Sequence, residues 1–300
     1  MSATASTSGA AARPVRNAQE IRRMVVSRIG WIACGIALLL VIGPLIDIVW
    51  VVTYNGLSAF SFRLFTSSTP PTGVGLWNAI EGTIVISIAA MAIAVPVGIG
   101  AGIYLSEYGN HWLGGTIRFL SDVLTGTPSI VLGYFSYICL VGALGWGLAA
   151  PAGAVTIAIL IVPYLARITE LALRQVPTAM REAAFALGAQ EPTVVFKIIL
   201  PSAASGVVTG ALLALAISVG ETAPLIYTAG FSNYPLDPTA PVHSFLHNQI
   251  GYLTYVIWTF IEQPDQASHA LAIAAAFLVM LFVLLINIGV RLAVRRTKFV

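Results

Sequence analysis

The chain contains six apolar stretches, at roughly residues 29–52, 77–105, 119–147, 153–173, 207–228 and 269–291. Each is near or above the ~20 residues a helix needs to cross a bilayer. Nothing else in the sequence restricts the fold as strongly, because a segment in hydrocarbon must satisfy its own backbone hydrogen bonds, and a helix does so internally. Composition agrees: 58% of the 300 residues are hydrophobic and 9% are charged, whereas a soluble domain carries about a quarter charged residues. The expected fold class is an all-α polytopic membrane protein with six transmembrane helices.

The basic residues set a direction. With the N-terminus inside, the inner segments collect Arg13, Arg16, Arg22, Arg23 and Arg28, then Arg118, then Arg167, Arg174, Arg181 and Lys197, then Arg291, Arg295, Arg296 and Lys298. Only Arg63 is left outside. Such an excess of inner Lys and Arg predicts cytoplasmic N- and C-termini in a multi-pass protein of the cytoplasmic (inner) membrane. Residues 1–28 are small, polar and then basic, without the short apolar core of a secretion signal, and are read as a disordered cytoplasmic tail. The first run can also act as a signal anchor, and its spanning length argues against cleavage. The six-helix transmembrane core is expected over 29–291, with a cytoplasmic loop at 174–206 and a second basic tail at 292–300. Two outer segments are long, and the second, 229–268, mixes Tyr, Trp and Phe with polar residues. It is expected to lie as an interfacial helix at the outer surface.

Several classes of function are excluded. Nothing suggests nucleic-acid binding. Cys34 and Cys139 both lie in apolar runs, which rules out a disulfide framework or a CxxC metal site by spacing. His243 and His247 are spaced i, i+4, but no third ligand of comparable spacing is evident, and two histidines facing water or a partner is the plainer reading. No cofactor and no metal is expected. A phosphate-cradling nucleotide loop needs Gly-Lys followed by Ser or Thr, yet Lys197 follows Phe196 and Lys298 follows Thr297, with no other lysine in the chain. Energy, if any is used, must come through a partner.

Between the fourth and fifth apolar runs the chain interrupts itself with REAAFALGAQEPTVVFKIILPS, Arg181–Ser202. Pro177 and Thr178 give a helix start, and Gly188 sits where a helix ends in the left-handed conformation. Pro192 suits the first turn of a second short helix, and Pro201 is expected to end it. A helix–glycine–helix pair carrying Glu182, Glu191 and Lys197 beside Phe185, Leu187 and Phe196 reads as a docking surface for another protein or as an amphipathic loop resting on headgroups.

Here a resemblance enters. Glu182-Ala183-Ala184, Gly188, Ile198 and Leu200-Pro201, at this spacing, are similar to the EAA signature of ABC importer permeases. The resemblance implies that these seven residues form a coupling helix seated on a cytoplasmic ATPase dimer, and that ATP is hydrolysed in that partner, so this chain is not itself an enzyme. Three further stretches, SVGETAPLIYTAG (218–230), VLTGTPSIVLGYF (123–135) and VPYLARITELALRQVPTAMREAAFALGA (162–189), resemble the A-type permease subunit of high-affinity phosphate importers. That implies transport of inorganic phosphate, a homologous C-type permease subunit as partner, and delivery by an extracytoplasmic phosphate-binding protein, in contact with membrane lipid throughout. One departure stands out. Such permeases often carry arginine three residues before the glycine of Gly-Glu-Thr, and this chain has Ile217 there.

Residues at membrane depth supply the candidates for a substrate path or charge network: Arg167, Glu221, Thr222, Thr127 and Ser129. Arg167 is costly against lipid, so it should face the bundle interior or snorkel to the headgroups. Glu221 is too short to snorkel and needs a partner, a proton or water; Arg167 or an arginine of the sister subunit is the expected partner. Gly206, Gly210, Ala214, Ser218 and Thr222 form a small-residue stripe at spacing four, expected as a packing seam. Pro224 makes Gly-Glu-Thr-Ala-Pro an expected bend. Thr127-Pro128-Ser129 either restarts a helix whose N–H groups can meet an anion or merely kinks it. The competing functions are a permease for sulfate or molybdate and a secondary transporter or channel acting alone. An intramembrane enzyme lacks any visible catalytic constellation.

Overall fold

The structure, a computed structural model, describes residues 18–71 and 73–297. Most of the expected N-terminal tail, 1–17, lies outside the described residues, as do residues 298–300. The chain divides into two units, Met1–Val51 and Val52–Val300. The first consists of most of helix α1, Ala18–Ala59, whose side chains from 22 to 50 are all exposed. A helix this apolar and exposed all round suits hydrocarbon rather than water. Because α1 begins at Ala18, residues 19–28 are helical, and the tail is shorter than expected.

The second unit is helical as well. A 3-10 turn at Phe62–Phe65 leads to α2, Trp77–Glu107, then α3, Trp112–Gly126, and α4, Ser129–Ser136, which runs into a π turn at Tyr137–Ala143. Next come α5, Ala150–Arg174, α6, Thr178–Ala186, and α7, Glu191–Val194, joined by a π turn at Val195–Ile199 to α8, Leu200–Gly220. The chain continues through α9, Ala223–Thr228, α10, Pro241–His247, α11, Leu253–Phe260, and α12, Gln266–Thr297. α12 therefore extends through most of the second expected tail. Its start is fixed by Asp265, whose Oδ2 accepts the Ser268 N–H at 2.7 Å. That N-cap holds the Asp265 carboxyl below the usual carboxylate range.

Five helices are long and apolar enough to span a membrane, and α3 and α4 form a sixth candidate bent by 103°. The bent pair makes one crossing. Arg118 in α3 donates to the carbonyls of Leu105 and Gly109 at the end of α2, so α3 starts at the end of the bundle where α6 lies. The Ala149 and Ala150 N–H groups donate to Thr228 and Asn248, so the chain has reached the opposite end, near α10, when α5 begins. Six crossings follow, as the apolar runs imply, but the third is a broken helix rather than a straight one.

The core lies where α2, α5 and α8 meet, around Ile86, Ala90, Ile157, Ile161 and Ala214. The expected small-residue seam is present in α8. A Cβ on Gly206 would stand 2.8 Å from Ala172 Cβ, and one on Gly210 2.4 Å from Ile168 Cγ2, so α8 and α5 approach as closely as small residues allow. Thr222 lies past the end of α8 and takes no part in the seam.

Two sequence expectations are overturned, the second in part. Pro201 does not end the second short helix, because Glu191–Gly220 runs on as one helix. The π turn at Val195–Ile199 comes just before Pro201 and widens the ladder where proline lacks a donor and its ring crowds the preceding turn. The 229–268 segment is laid on the surface only in part: α10 is mostly exposed, but the stretch at 250–256 is not. Ile250, Tyr252, Leu253 and Val256 are buried, and the Leu253 N–H donates to Thr83 Oγ1 at 2.9 Å. At Gly82 an added Cβ would lie 1.8 Å from the Gly251 carbonyl oxygen, which only glycine permits. Aromatic residues among polar ones here mark a strap packed into the bundle, with the Thr83 hydroxyl and the Asn78 amide of α2 satisfying part of its backbone.

Candidate functional site

Two breaks in the helices lie side by side, half-buried at the flank of the bundle. The first falls at Thr127-Pro128, where Thr127 is extended (φ −80, ψ 132) and α4 restarts without a side-chain cap. The second falls at Glu221-Thr222, where Glu221 is extended (φ −71, ψ 135) and α9 restarts with Pro224 in its first turn. Both breaks were legible as Pro-containing bends, and the 103° turn at the first is far more than a packing kink. α4 and α9 lie against one another: an added Cβ on Gly133 would stand 2.5 Å from Pro224 Cα, and the Tyr134 and Tyr227 rings meet edge to face at 6.0 Å. Ser129, at the start of α4, and Glu221, just before α9, are thereby brought close to one another. Thr127, Ser129, Glu221 and Thr222 are all half-buried. Thr127 Oγ1 donates back to the Val123 carbonyl at 2.8 Å, closing the last turn of α3.

The backbone opened at the second break is satisfied from outside the helix. Thr254 Oγ1 donates to the Glu221 carbonyl at 2.8 Å, so the buried strap holds the break open. Behind it, Thr83, Ser87, Ser218, Glu221, Tyr252 and Thr254 line a cavity of about 10 Å3, room for one water. The buried hydroxyls of Ser87, Ser218 and Tyr252 have no protein partner among the described residues. Three such groups around one polar cavity fit a bridging water, since an unpaired buried hydroxyl costs about 1–3 kcal/mol.

The sequence pairing of Arg167 with Glu221 is overturned. Arg167 donates to Glu170 Oε2 at 3.1 Å, one turn along α5. Glu170 is 1% exposed and also receives Arg118 Nε at 2.8 Å and an Arg174 terminal nitrogen at 3.0 Å. These four residues gather at the α6 end, whereas Glu221 lies against Thr254 of α11. The carboxylate one helical turn away takes the guanidinium first. Glu170 is the residue that the sequence reading missed. Its signal was in plain view, Arg167-x-x-Glu170-x-x-x-Arg174, with i, i+3 and i, i+4 partners on one face. With Ser129 and Glu221 neighbours at the paired breaks and Arg167 engaged elsewhere, a double-mutant cycle on Ser129→Ala and Glu221→Gln should give transport losses that are non-additive by about 0.5–3 kcal/mol. The cycle on Arg167→Gln and Glu221→Gln should be additive. Uptake rates of the single and double variants check both.

At the α6 end the chain forms an elbow. α6 ends in a Schellman motif: the Ala189 N–H donates to Ala184 and the Gly188 N–H to Phe185, with Gly188 at φ +79. Arg181 on α6 pairs with Glu107 at the end of α2 and donates to the Leu173 carbonyl, so the elbow is tied to the bundle. The seven signature positions divide. Ala184, Ile198 and Leu200 pack with Leu173, Val176 and Val194, while Glu182, Ala183, Gly188 and Pro201 are exposed. Phe185, Leu187 and Phe196 are exposed as well, Leu187 to 89%. His243 and His247, at the other end, stand with ring centroids 4.6 Å apart on α10.

Comparison with known proteins agrees with this architecture. Residues 94–299 match the family described as binding-protein-dependent transport system inner membrane component. Among curated relatives, the phosphate transport system permease protein PstA 2 of Mycobacterium bovis is 41% identical over 91% of this chain and 89% of its own. PstA of Yersinia pestis is 40% identical over 85% of each chain. A probable PstA of Methanocaldococcus jannaschii is 33% identical over 91% and 95%. Among solved structures, an inward-facing MetNI methionine ABC transporter superposes with a TM-score of 0.54 at 23% identity, over 74% of this chain and 94% of that one, a likeness of fold. The chain is a member of the binding-protein-dependent transport system inner membrane component family.

Proposed function

We propose that this chain is the A-type transmembrane permease subunit of an ABC importer that moves inorganic phosphate across the cytoplasmic membrane. It acts beside a homologous C-type permease, is driven by a cytoplasmic ATPase dimer seated on the α6 elbow, and is supplied by an extracytoplasmic phosphate-binding protein. The observation that carries the reading is the 41% identity, over nine-tenths of the chain, to a relative named as a phosphate permease. The geometry supports it. An exposed apolar elbow is tied to the bundle by the Glu107–Arg181 pair, and two helix breaks meet at Ser129 and Glu221, the kind of discontinuity that lines substrate paths in transporters. Thr127, Ser129, Glu221 and Thr222 belong to that path or its gate. Arg167 serves the charge cluster at the inner end. Glu182, Ala183, Ala184, Gly188, Ile198, Leu200 and Pro201 form the coupling elbow, part contact surface and part scaffold.

Radiolabelled phosphate uptake tests the substrate. Vesicles containing the assembled transporter should take up phosphate only with ATP inside, and excess sulfate or molybdate should leave the rate unchanged. Strong competition by either ion would reassign the substrate, and uptake without ATP would point to a secondary transporter. Orientation has its own check. In a background lacking Cys34 and Cys139, an impermeant thiol reagent added outside intact cells should label Ser232→Cys but not Ala189→Cys.

A further inference from the structure

A second polar site lies at the α6 end, away from the helix breaks. The turn after α2, the start of α3 and the end of α5 enclose a cleft of about 470 Å3, whose lining includes His111, Arg118, Arg167, Glu170 and Arg174. Three guanidiniums here share one carboxylate, so the cleft carries an excess of two positive charges. Arg118 has all three of its nitrogens engaged, with Nε on Glu170 and its terminal nitrogens on the carbonyls of Gly109 and Leu105. Arg167 and Arg174 are not. Among the described residues each gives one terminal nitrogen to Glu170, and the rest of each fork has no protein acceptor. Their side chains are 45% and 47% exposed, so the spare N–H groups are accessible, while the buried Glu170 fixes both forks in place.

We infer that this cleft binds a phosphate group, through the free N–H donors of Arg167 and Arg174, with Glu170 and Arg118 as positioning residues. Paired guanidinium forks match the edges of a tetrahedral oxyanion, giving two parallel charge-assisted hydrogen bonds where an ammonium gives a point contact. α3 begins at the cleft wall without a side-chain cap, and its positive end adds to the field. The inference goes beyond the substrate reading, because the two forks select a phosphate group whatever crosses at the helix breaks. Free phosphate and the headgroup phosphate of an anionic lipid share this chemistry. Either occupant would lie against the turn that the Glu107–Arg181 pair ties to α6.

A local thiol probe tests this. The full-length chain, in the assembled transporter without Cys34 and Cys139, carries Asn110→Cys in the cleft wall and is reacted with a neutral maleimide in detergent micelles. Inorganic phosphate should slow labelling by about threefold once it reaches twice its dissociation constant, and sodium chloride of equal ionic strength should not. In a second arm, phosphatidylglycerol is added to phosphate-free micelles. Protection by phosphate alone identifies a free anion as the occupant, and protection by the lipid alone identifies a headgroup. In either case Arg167→Gln with Arg174→Gln should abolish it and Arg174→Lys should weaken it. If the double variant fails to assemble, Arg174→Ala replaces it, since Arg118 and Arg167 remain on Glu170. Failure of both probes to protect the wild-type chain, or equal protection of wild type and variant, overturns the inference. Neither result bears on uptake, so the substrate reading stands or falls separately.

Discussion

Replacing Glu170 with glutamine should destabilise this protein more than any other single change to a charged residue, and transport should fall with it. The carboxylate is 1% exposed and takes three guanidiniums at 2.8, 3.1 and 3.0 Å. The Arg118 side chain is itself only 23% exposed, so removing the charge leaves a largely buried guanidinium without its counter-ion, a change that typically costs about 3–5 kcal/mol. Arg167 and Arg174 are nearly half exposed, and water will screen their share of the loss, so Arg167→Gln or Arg174→Gln alone should cost about 1 kcal/mol or less. Thermal unfolding in detergent micelles orders the variants: Glu170→Gln lowest, Arg118→Gln close to it, the other two near wild type. Replacing Glu170 and Arg118 together by apolar residues should recover part of the loss, because the unpaired charge is gone. Equal midpoints for Glu170→Gln and Arg174→Gln would show that the carboxylate is not the centre of the cluster.

This cluster marks the boundary of what the sequence makes legible. The apolar runs specify the crossings, and Pro128 and Pro224 specify where two of them break, because a missing donor and a ring clash act locally. The left-handed end of α6 was legible at Gly188 for the same reason. Contacts across the fold were not. Arg167 and Glu221 look like partners when the only question is which charges lie in apolar runs, but Glu170 is one turn from Arg167, and Ser129 is brought to Glu221 by the break in a different crossing. The strap at 250–256 was misread because its polar-aromatic mixture suits a headgroup layer as well as it suits a buried turn. What decides for burial is contacts across the bundle, the Thr83 hydroxyl accepting the Leu253 N–H and the Thr254 hydroxyl donating to the Glu221 carbonyl. Pro201 misleads in the opposite way, since a π turn absorbs locally what the residue alone would be expected to break.

Changing Leu187 to aspartate should uncouple the protein while leaving it folded. Leu187 is 89% exposed beside Phe185 and Phe196, at 50% and 59%, on an elbow that projects from the bundle, and an apolar side chain there contributes nothing to the chain's own core. If the elbow seats in the ATPase, Leu187 is placed as a central anchor, and a charge in its pocket should cost about 2 kcal/mol or more of association. That is about a thirtyfold loss of affinity, with uptake falling in proportion. Thermal unfolding of the isolated chain and its insertion should match wild type. Gly188→Val acts differently. An added Cβ meets no atom within 4 Å, and the whole penalty comes from φ +79, about 1–2 kcal/mol for a side chain in the left-handed region. The elbow should then reopen its angle, α6 should lose its Schellman bonds, and coupling should fall through geometry rather than through contact. Gly188→Asn, tolerated in that region, should restore most of the function, whereas no conservative change at Gly188 will rescue Leu187→Asp. ATPase co-purification with each variant separates the two effects. Wild-type association of Leu187→Asp would remove the elbow from the interface.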